Sequence, residues 1–248
     1  MSNTVKSFDP KTQIKLQQNI GIFGPRGSGK THVAAQICKH LEAQYHNIRF
    51  IIVGDYVDDE LYPESAVILK EWNEDEIEEL LEAHKKMWEY IDGVELYFVF
   101  DDIPPVHYRK SKMLNKIVDD GWSDHCTTVR VCQEIQQMPY AMGSNLDWII
   151  CGHYPTYNDK QAIFHEFFYN KLSRHDFEKL YKQVVIEPWS NEESFAWQPE
   201  KHKFLATNLT DEMPPAYHFY KCPFIKKQKP KKEIKIKSKK GTNKESKK

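Results

Sequence analysis

Short apolar runs alternate with stretches of helical periodicity along most of this chain of 248 residues. The apolar runs predict five buried strands, at residues 19–23, 48–53, 94–100, 127–132 and 148–151. Because helices between successive strands cover both faces of a parallel sheet, the pattern predicts an α/β fold with a central, mostly parallel sheet in a three-layer sandwich.

The polar and apolar positions between the strands predict the helices. One helix is expected at 32–42, and a second opens at Asn73 with Glu76 three residues later, which is a capping-box spacing. Its predicted buried face consists of Ile77, Leu80, Leu81, His84, Trp88 and Ile91, and its predicted solvated face of Glu74, Asp75, Glu78, Glu79 and Glu82. Two further helices are expected at 161–172 and 174–185, the second capped by Ser173 with Asp176. A short extra strand is expected at 65–69.

The sequence pattern from residue 195 to the C-terminus predicts a β-hairpin and a tail. Residues 195–197 and 204–206 flank a polar turn and predict the hairpin, and the aromatic stretch 217–224 is expected to pack on the body. We expect one domain over residues 1–225, followed by a Lys-rich, disordered tail over 226–248, because the tail holds too little apolar surface to order itself.

A phosphate-binding motif follows the first predicted strand. It comprises Gly24, Pro25, Arg26, Gly27, Ser28, Gly29, Lys30 and Thr31, immediately before a predicted helix. Glycines let successive backbone N–H groups surround an anion, and the helix N-terminus adds its dipole. Lys30 is expected to reach the β and γ phosphates of ATP, and Thr31 to offer its hydroxyl to Mg²⁺.

Two carboxylates end the third core strand, in the form of a Walker B motif. Asp101 is expected to hold Mg²⁺, and Asp102 to orient and polarise the attacking water as general base. The alternative is a strand that stops at a polar turn. Because the pair lies downstream of a P-loop, we favour the functional interpretation.

Gln133 follows the next apolar strand. In the additional-strand class of P-loop ATPases, such a strand lies between the P-loop strand and the Walker B strand, and the polar residue at its tip faces the γ phosphate. We therefore predict that Gln133 senses this phosphate and positions water. The alternative is a surface glutamine beside Glu134, Gln136 and Gln137.

The order of these motifs resembles the genome-packaging ATPases of large double-stranded DNA viruses, in the FtsK/HerA branch of P-loop motors. The resemblance covers roughly residues 18–210 and includes Gln137-Met138-Pro139 and Ser144-Asn145-Leu146-Asp147. It implies a homo-oligomeric ring, a hexamer or pentamer, that hydrolyses ATP to move duplex DNA into a capsid. Capsid or portal proteins are the further implied partners.

The chain departs from these relatives in its arginines. Many relatives carry an arginine where this chain reads Trp122-Ser123-Asp124-His125, and another where it reads Gly143-Ser144. The five arginines of the chain are Arg26, Arg49, Arg109, Arg130 and Arg174. We expect Arg49 and Arg130 to be structural. Arg109 acting on a neighbouring subunit is the favoured finger, followed by Arg26 acting in its own subunit.

The net charge of −1 conceals a strong asymmetry. The tail at 226–248 holds twelve lysines and two glutamates, whereas the rest of the chain holds 23 basic and 34 acidic side chains. Nucleic-acid or capsid contact is the favoured role of the tail, with cellular targeting or solubility as alternatives. Because the body is acidic, DNA would need local lysines, and Lys110, Lys112 and Lys116 in the predicted loop 108–116 are the candidates.

Composition and segment length narrow the setting. The five cysteines have neither paired nor metal-site spacing, so reduced and mostly buried thiols are expected. Neither a signal segment nor an apolar run of about 18 residues is present, so we expect a soluble, intracellular protein without membrane insertion. Host cytoplasm, a viral factory or the virion would suit the resemblance, and the basic tail leaves the nucleus open.

Two other functions compete with the motor. A small-molecule or nucleotide kinase would share the P-loop, but such enzymes usually carry an Arg-rich lid. A DNA-binding adaptor with a nucleotide-controlled P-loop would lack turnover, although Lys30, Thr31, Asp101 and Asp102 are all present.

Overall fold

A computed structural model describes residues 6–91, 93–120, 125–135, 145–186, 203–210 and 217–221. The strands are β1 (Lys6–Ser7), β2 (Ile20–Phe23), β3 (Ile48–Val53), β4 (Val67–Leu69), β5 (Glu95–Asp101), β6 (Cys126–Cys132), β7 (Trp148–Cys151), β8 (Lys203–Asn208) and β9 (Tyr217–Lys221). The helices are α1 (Pro10–Gln13), α2 (Lys30–Gln44), α3 (Glu74–Tyr90), α4 (Pro105–Lys110), α5 (Lys112–Asp120), α6 (Tyr157–Ile163) and α7 (Arg174–Tyr181). Helices α6 and α7 each continue into a π-helical turn, at Phe164–Phe168 and Lys182–Ile186.

The strands of the described residues form one sheet in the order β1-β9-β8-β7-β2-β6-β5-β3-β4. Strand β8 runs antiparallel to both of its neighbours, and the other pairings are parallel. Strand β6 lies between β2 and β5, as expected for an additional strand inserted between the P-loop strand and the Walker B strand.

Each face of the sheet carries its own apolar core. On one face, α3, α5, α6 and α7 bury residues such as Ile77, Leu114 and Phe168. On the other face, α1 and α2 bury residues such as Ile14 and Val33. The predicted three-layer α/β sandwich is confirmed.

The five predicted core strands are present, each within one residue of its predicted bounds at either end. The caps are also confirmed, because Asn73 Oδ1 accepts from the N–H groups of Asp75 and Glu76, and Ser173 Oγ accepts from Asp176 N–H. One buried position was wrong: α3 ends at Tyr90, so Ile91 lies past the last helical turn and is 48% exposed.

The segment after the Walker B strand is helical, so the predicted loop at 108–116 was wrong. Pro105 stands at the first helical position of α4, where its missing N–H does no harm. In α5, Leu114, Ile117 and Val118 recur at helical spacing and are all buried. Burial of this stripe against the sheet explains why the segment forms a helix.

A C-terminal hairpin is present, formed by β8 and β9. The other edge of β8 pairs with β7, so both of its edges are used. The predicted pairing of 204–206 with 195–197 was therefore wrong, and residues 195–197 themselves lie outside the described residues. The sequence predictions for 121–124, 136–144 and the tail at 226–248 also fall outside the description.

Two further observations concern the setting of the chain. The thiols of Cys38, Cys126, Cys132 and Cys151 are buried, and none of these four residues is in a disulfide. None of the helices in the described ranges is both long enough and apolar enough to cross a bilayer.

Candidate nucleotide-binding and hydrolysis site

The P-loop lies between β2 and α2, with its glycines in conformations that other residues avoid. Gly27 has φ of 77° and Gly29 has φ of 94°, both in the left-handed region. The loop closes through Ser28 N–H to Pro25 O at 3.2 Å, and Gly24 N–H donates to Cys132 O at 3.3 Å. The first bond closes the loop on itself, and the second anchors it to the end of β6.

Lys30 begins α2 and is 6% exposed. Its ammonium donates to Pro25 O at 3.2 Å, across the loop where a phosphate would sit. Burial lowers the pKa of Lys30, and the nearby carboxylates Asp102 and Asp101 oppose this shift. A polyanion in the loop would supply the counter-charge that this buried lysine needs.

Asp101 is held by a hydroxyl group on each of its oxygens. Thr31 Oγ1 donates to Oδ1 at 3.0 Å, and Tyr62 OH donates to Oδ2 at 3.0 Å. Burial raises the pKa of Asp101, while the hydrogen bonds from Tyr62 and Thr31 lower it. A hydroxyl and a carboxylate are hard oxygen donors, so this pair fits Mg²⁺.

Asp102 and Gln133 meet at the tips of neighbouring strands. Asp102 has φ of 59°, in the left-handed region that aspartate tolerates better than most residues. Its N–H donates to Val131 O at 3.0 Å, which continues the ladder between β5 and β6. The Gln133 amide Nε2 donates to Asp102 Oδ2. The left-handed turn therefore ends β5 with the carboxylate beside the predicted sensor.

Gly54 explains how a distant loop reaches this site. It follows β3, and a Cβ built on it would lie 2.2 Å from the backbone oxygen of Asp101. Only glycine permits so close an approach of the two backbones. The chain beyond it buries Leu61 and Tyr62 in the core that contains α2, and so Tyr62 reaches Asp101.

The structure brings most of the predicted site residues to one edge of the sheet. Lys30 and Thr31 begin α2, after the P-loop that follows β2. Asp101, Asp102 and Gln133 lie at the carboxyl ends of β5 and β6 or directly after them. This is where ligands bind in open parallel sheets.

The candidate arginine fingers and DNA-binding lysines lie in the P-loop and on helices α4 and α5. Arg26 is exposed within the P-loop. Arg109 lies in α4, and its side chain is outside the description. The side chains of Lys110, Lys112 and Lys116 are exposed on α4 and α5.

The remaining arginines lie in regular structure. Arg130 is fully buried in β6, where its Nε donates to Thr128 Oγ1 at 3.0 Å, as expected for a structural residue. Arg49 is exposed in β3 and donates to Ile48 O at 2.8 Å. Arg174 is the first residue of α7 and pairs with Glu178 at 3.1 Å.

Sequence reasoning missed Gly54, Tyr62 and Tyr154. Tyr154 OH donates to the backbone oxygen of Gln133. A Gly directly after a buried strand is a signal that could have indicated a close backbone approach. The two tyrosines carry no motif, and only the tertiary structure reveals them.

Sheet order, P-loop and paired carboxylates together define a P-loop nucleoside triphosphatase fold of the additional-strand class. No protein-family model matches the chain, and no curated protein matches its sequence. Solved structures of the same fold do match it.

Two of these structures come from viruses. The DNA-packaging ATPase B204 of Sulfolobus turreted icosahedral virus has a TM-score of 0.60 at 14% identity, over 85% of this chain and 100% of that chain. The genome-packaging NTPase B204 of Sulfolobus turreted icosahedral virus 2, in complex with ATP-gammaS, has a TM-score of 0.53 at 14% identity, over 82% of this chain and 94% of that chain.

A third similar structure is bacterial. EssC (ATPases 2 and 3) from Geobacillus thermodenitrificans has a TM-score of 0.52 at 13% identity, over 88% of this chain and 45% of that chain. The fold expected from the resemblance to packaging ATPases is therefore confirmed.

Proposed function

We propose that this protein is a Mg²⁺-dependent ATPase that drives double-stranded DNA into a viral capsid. The observation that carries the proposal is the convergence of two pairs, Thr31 with Asp101 and Gln133 with Asp102, at one edge of the sheet. The likeness in fold to viral packaging ATPases supports it.

ATP would bind with its phosphates in the P-loop. Backbone N–H groups of the P-loop and the N-terminus of α2 would surround the β phosphate, and Lys30 would release Pro25 O to reach the β and γ phosphates. Thr31 and Asp101 would hold Mg²⁺. A metal ion there would neutralise charge that develops on the phosphate oxygens.

Hydrolysis needs a positioned water and a proton acceptor. Asp102 is exposed at the strand tip, so its carboxylate can accept a proton from water that attacks the γ phosphorus. Gln133 donates to that carboxylate and lies beside it, so the same amide can orient the water or contact the γ phosphate. The bond between the γ phosphorus and the oxygen of the leaving ADP would break as the bond between the γ phosphorus and the water oxygen forms.

Coupling to DNA would require an assembly. Packaging motors enclose duplex DNA in a homo-oligomeric ring, and a neighbouring subunit can supply the arginine that stabilises the transition state. Helices α4 and α5 follow Asp101 and Asp102 directly, so phosphate release could shift them. Lys110, Lys112 and Lys116 on these helices would contact the DNA phosphates. A basic tail at 226–248 would add non-specific affinity for DNA or the capsid.

The test is ATP hydrolysis by the full chain with and without duplex DNA. We expect DNA to stimulate phosphate release, and stimulation to weaken as salt rises from about 50 to 200 mM, because lysine–phosphate contacts release counterions. A Lys112→Gln/Lys116→Gln variant should lose stimulation and keep basal hydrolysis. Lys85→Gln/Lys86→Gln, which removes two exposed lysines of α3, is the matched control.

The outcomes separate the competing functions. A rate of ATP hydrolysis that is the same with and without DNA at every salt concentration would contradict the motor function. Nucleotide binding without turnover would instead favour the DNA-binding adaptor, and transfer of phosphate to a small acceptor would favour the kinase.

A further inference from the structure

Two buried tyrosines connect α7 to the predicted sensor. Tyr154 is 2% exposed, and its hydroxyl donates to the backbone oxygen of Gln133. The backbone N–H of Tyr154 in turn donates to the hydroxyl oxygen of Tyr181 at 2.8 Å. Tyr181 is 1% exposed, and its hydroxyl donates to Gly152 O at 2.6 Å. The Tyr154–Tyr181 pair thus forms a hydrogen-bonded path from α7 to Gln133.

The turn at Gly152, to which Tyr181 bonds, is also connected to the end of the P-loop strand. Gly152 follows β7, and its N–H donates to Phe23 O, the last residue of β2, at 2.7 Å. The Phe204 ring lies 3.1 Å from where a Cβ of Gly152 would stand. The turn that carries Tyr154 is therefore fixed both to the P-loop strand and to α7.

The two hydroxyl groups fix specific backbone groups by hydrogen bonds, which packing of the rings alone would not do. Phenylalanine would fill nearly the same space in this aromatic core, where Phe177 packs against Tyr181 with ring centroids 5.5 Å apart. A buried hydroxyl stabilises the fold only when it is hydrogen-bonded. Here one hydroxyl fixes the turn, and the other fixes the backbone of the sensor residue.

Holding the carbonyl of Gln133 restrains the direction of its side chain. Gln133 is the first residue past β6, where ladder hydrogen bonds no longer fix the backbone. Its side chain is half-buried, and immobilising a glutamine side chain costs rotamer entropy. A fixed backbone reduces the number of orientations from which the amide must reach Asp102 and the γ phosphate.

We propose that Tyr154 is a positioning residue that fixes Gln133 for γ-phosphate sensing, and that Tyr181 holds Tyr154 in place. The proposal rests on the proposed ATPase function, because it concerns the same site. Within the described part of the chain, neither tyrosine hydrogen-bonds to Asp102 or to residues 24–31. Tyr154 therefore acts through Gln133, and Tyr181 acts through the turn that carries Tyr154.

The test is a double-mutant cycle of Tyr154→Phe with Gln133→Ala. Tyr154→Phe should lower kcat about tenfold and leave the Kd for ADP unchanged, because only the sensor is displaced. In the Gln133→Ala background, the same change should lower kcat less than twofold, because the residue through which it acts is gone. Tyr97→Phe is the matched control, because Tyr97 is equally buried and its hydroxyl lies 3.4 Å from Lys15 O.

A binding measurement makes the inference independent of turnover. The ratio of the Kd for ADP to that for AMPPCP reports how well the site recognises a γ phosphate. We expect this ratio to fall by a similar factor, about three- to tenfold, in Tyr154→Phe, Gln133→Ala and the double variant, and to stay unchanged in Tyr97→Phe.

These readouts separate the two proposals. Suppose that the parent protein releases no phosphate while the Kd ratio still falls from the parent to the Tyr154→Phe variant. That result would contradict the ATPase function and support the positioning role. An equal loss of kcat in both backgrounds of the cycle, or an unchanged Kd ratio in Tyr154→Phe, would overturn the positioning role.

Discussion

The hydroxyl of Tyr62 donates to Oδ2 of Asp101 at 3.0 Å, and both side chains are buried. The two residues are 39 positions apart in the chain. Thr31 occupies the other oxygen of the same carboxylate. Asp101 is therefore fixed in orientation before any ligand binds, with Oδ1 directed to the P-loop threonine.

Removing this hydroxyl should loosen the carboxylate. We expect Tyr62→Phe to lower the free energy of unfolding by about 1 kcal/mol, the usual contribution of one hydrogen bond. The Mg²⁺ concentration for half-maximal ATP hydrolysis should rise several-fold, because Asp101 no longer has a fixed orientation. Urea unfolding and a Mg²⁺ titration measure the two effects. If Tyr97→Phe raised the Mg²⁺ requirement equally, the specific role of Tyr62 would be wrong.

The buried carboxylate should make stability depend on pH in the absence of ligands. Burial raises the pKa of Asp101, so the folded protein binds this proton more tightly than the unfolded chain does. As pH rises above the ordinary carboxyl value of about 4, ionisation therefore disfavours folding. Asp101→Asn removes this effect, so its stability relative to the parent should increase from about pH 4 towards pH 7.

Urea unfolding across that pH range, without nucleotide or Mg²⁺, provides the measurement. Asp59→Asn is the control, because Asp59 is an exposed residue paired with Lys70 at 3.2 Å. A stability difference between Asp101→Asn and the parent that stays constant with pH would show that the carboxyl pKa is not raised.

The close approach at Gly54 predicts a large effect from one methyl group. A Cβ at this position would lie 2.2 Å from Asp101 O, a backbone atom that cannot move without displacing the site. We expect Gly54→Ala to destabilise the fold by about 2 to 3 kcal/mol and to abolish hydrolysis. Gly93→Ala, where φ is +82° and no atom lies within 4 Å of the added Cβ, should cost roughly 1 kcal/mol and retain activity. Thermal unfolding and an activity assay measure the two effects. Equal losses of stability and activity in Gly54→Ala and Gly93→Ala would refute the role of the close approach at Gly54.

A mixing experiment should identify the arginine finger. Arg109→Ala and Lys30→Ala subunits should each be inactive alone, with Arg109→Ala still binding ATP. If Arg109 acts on a neighbouring subunit, mixing them should restore part of the rate, because the Lys30→Ala subunit offers its arginine to an intact P-loop. Recovery of phosphate release in the mixture is the measurement.

The matched control for this experiment is Arg26. Because Arg26 lies in the P-loop of its own subunit, Arg26→Ala mixed with Lys30→Ala should not recover activity if Arg26 is the finger. Full activity of Arg109→Ala alone would remove Arg109 as a candidate.

The sequence predicted the parts of the site that local motifs encode. The glycines around Lys30, and the carboxylates at the end of an apolar strand, have fixed spacing and defined chemistry. The prediction for Gln133 came from similarity to the additional-strand class of P-loop ATPases. Asp102 illustrates the limit, because its φ of 59° is set by how β5 ends against β6. Tyr62 and Tyr154 act through contacts across the fold, and no local pattern marks them.

The same distinction explains the errors in the fold. The segment 108–116, which holds one arginine and three lysines, was predicted as a loop. Tertiary burial of Leu114, Ile117 and Val118 makes it helical. The strand at 217–221 was predicted only as an aromatic stretch, because residues 195–197 were expected to be the hairpin partner of 204–206.

Binding and cleavage of the nucleotide can be separated by comparing three proteins. We expect the parent to bind AMPPCP and release phosphate from ATP, and Lys30→Ala to lose both abilities. Asp102→Asn should bind AMPPCP as the parent does, because asparagine also tolerates positive φ, and should release phosphate about 10² to 10⁴ times more slowly because the general base is gone. If Lys30→Ala or Asp102→Asn released phosphate at the parent rate, ATP would not be cleaved by the proposed mechanism at this site.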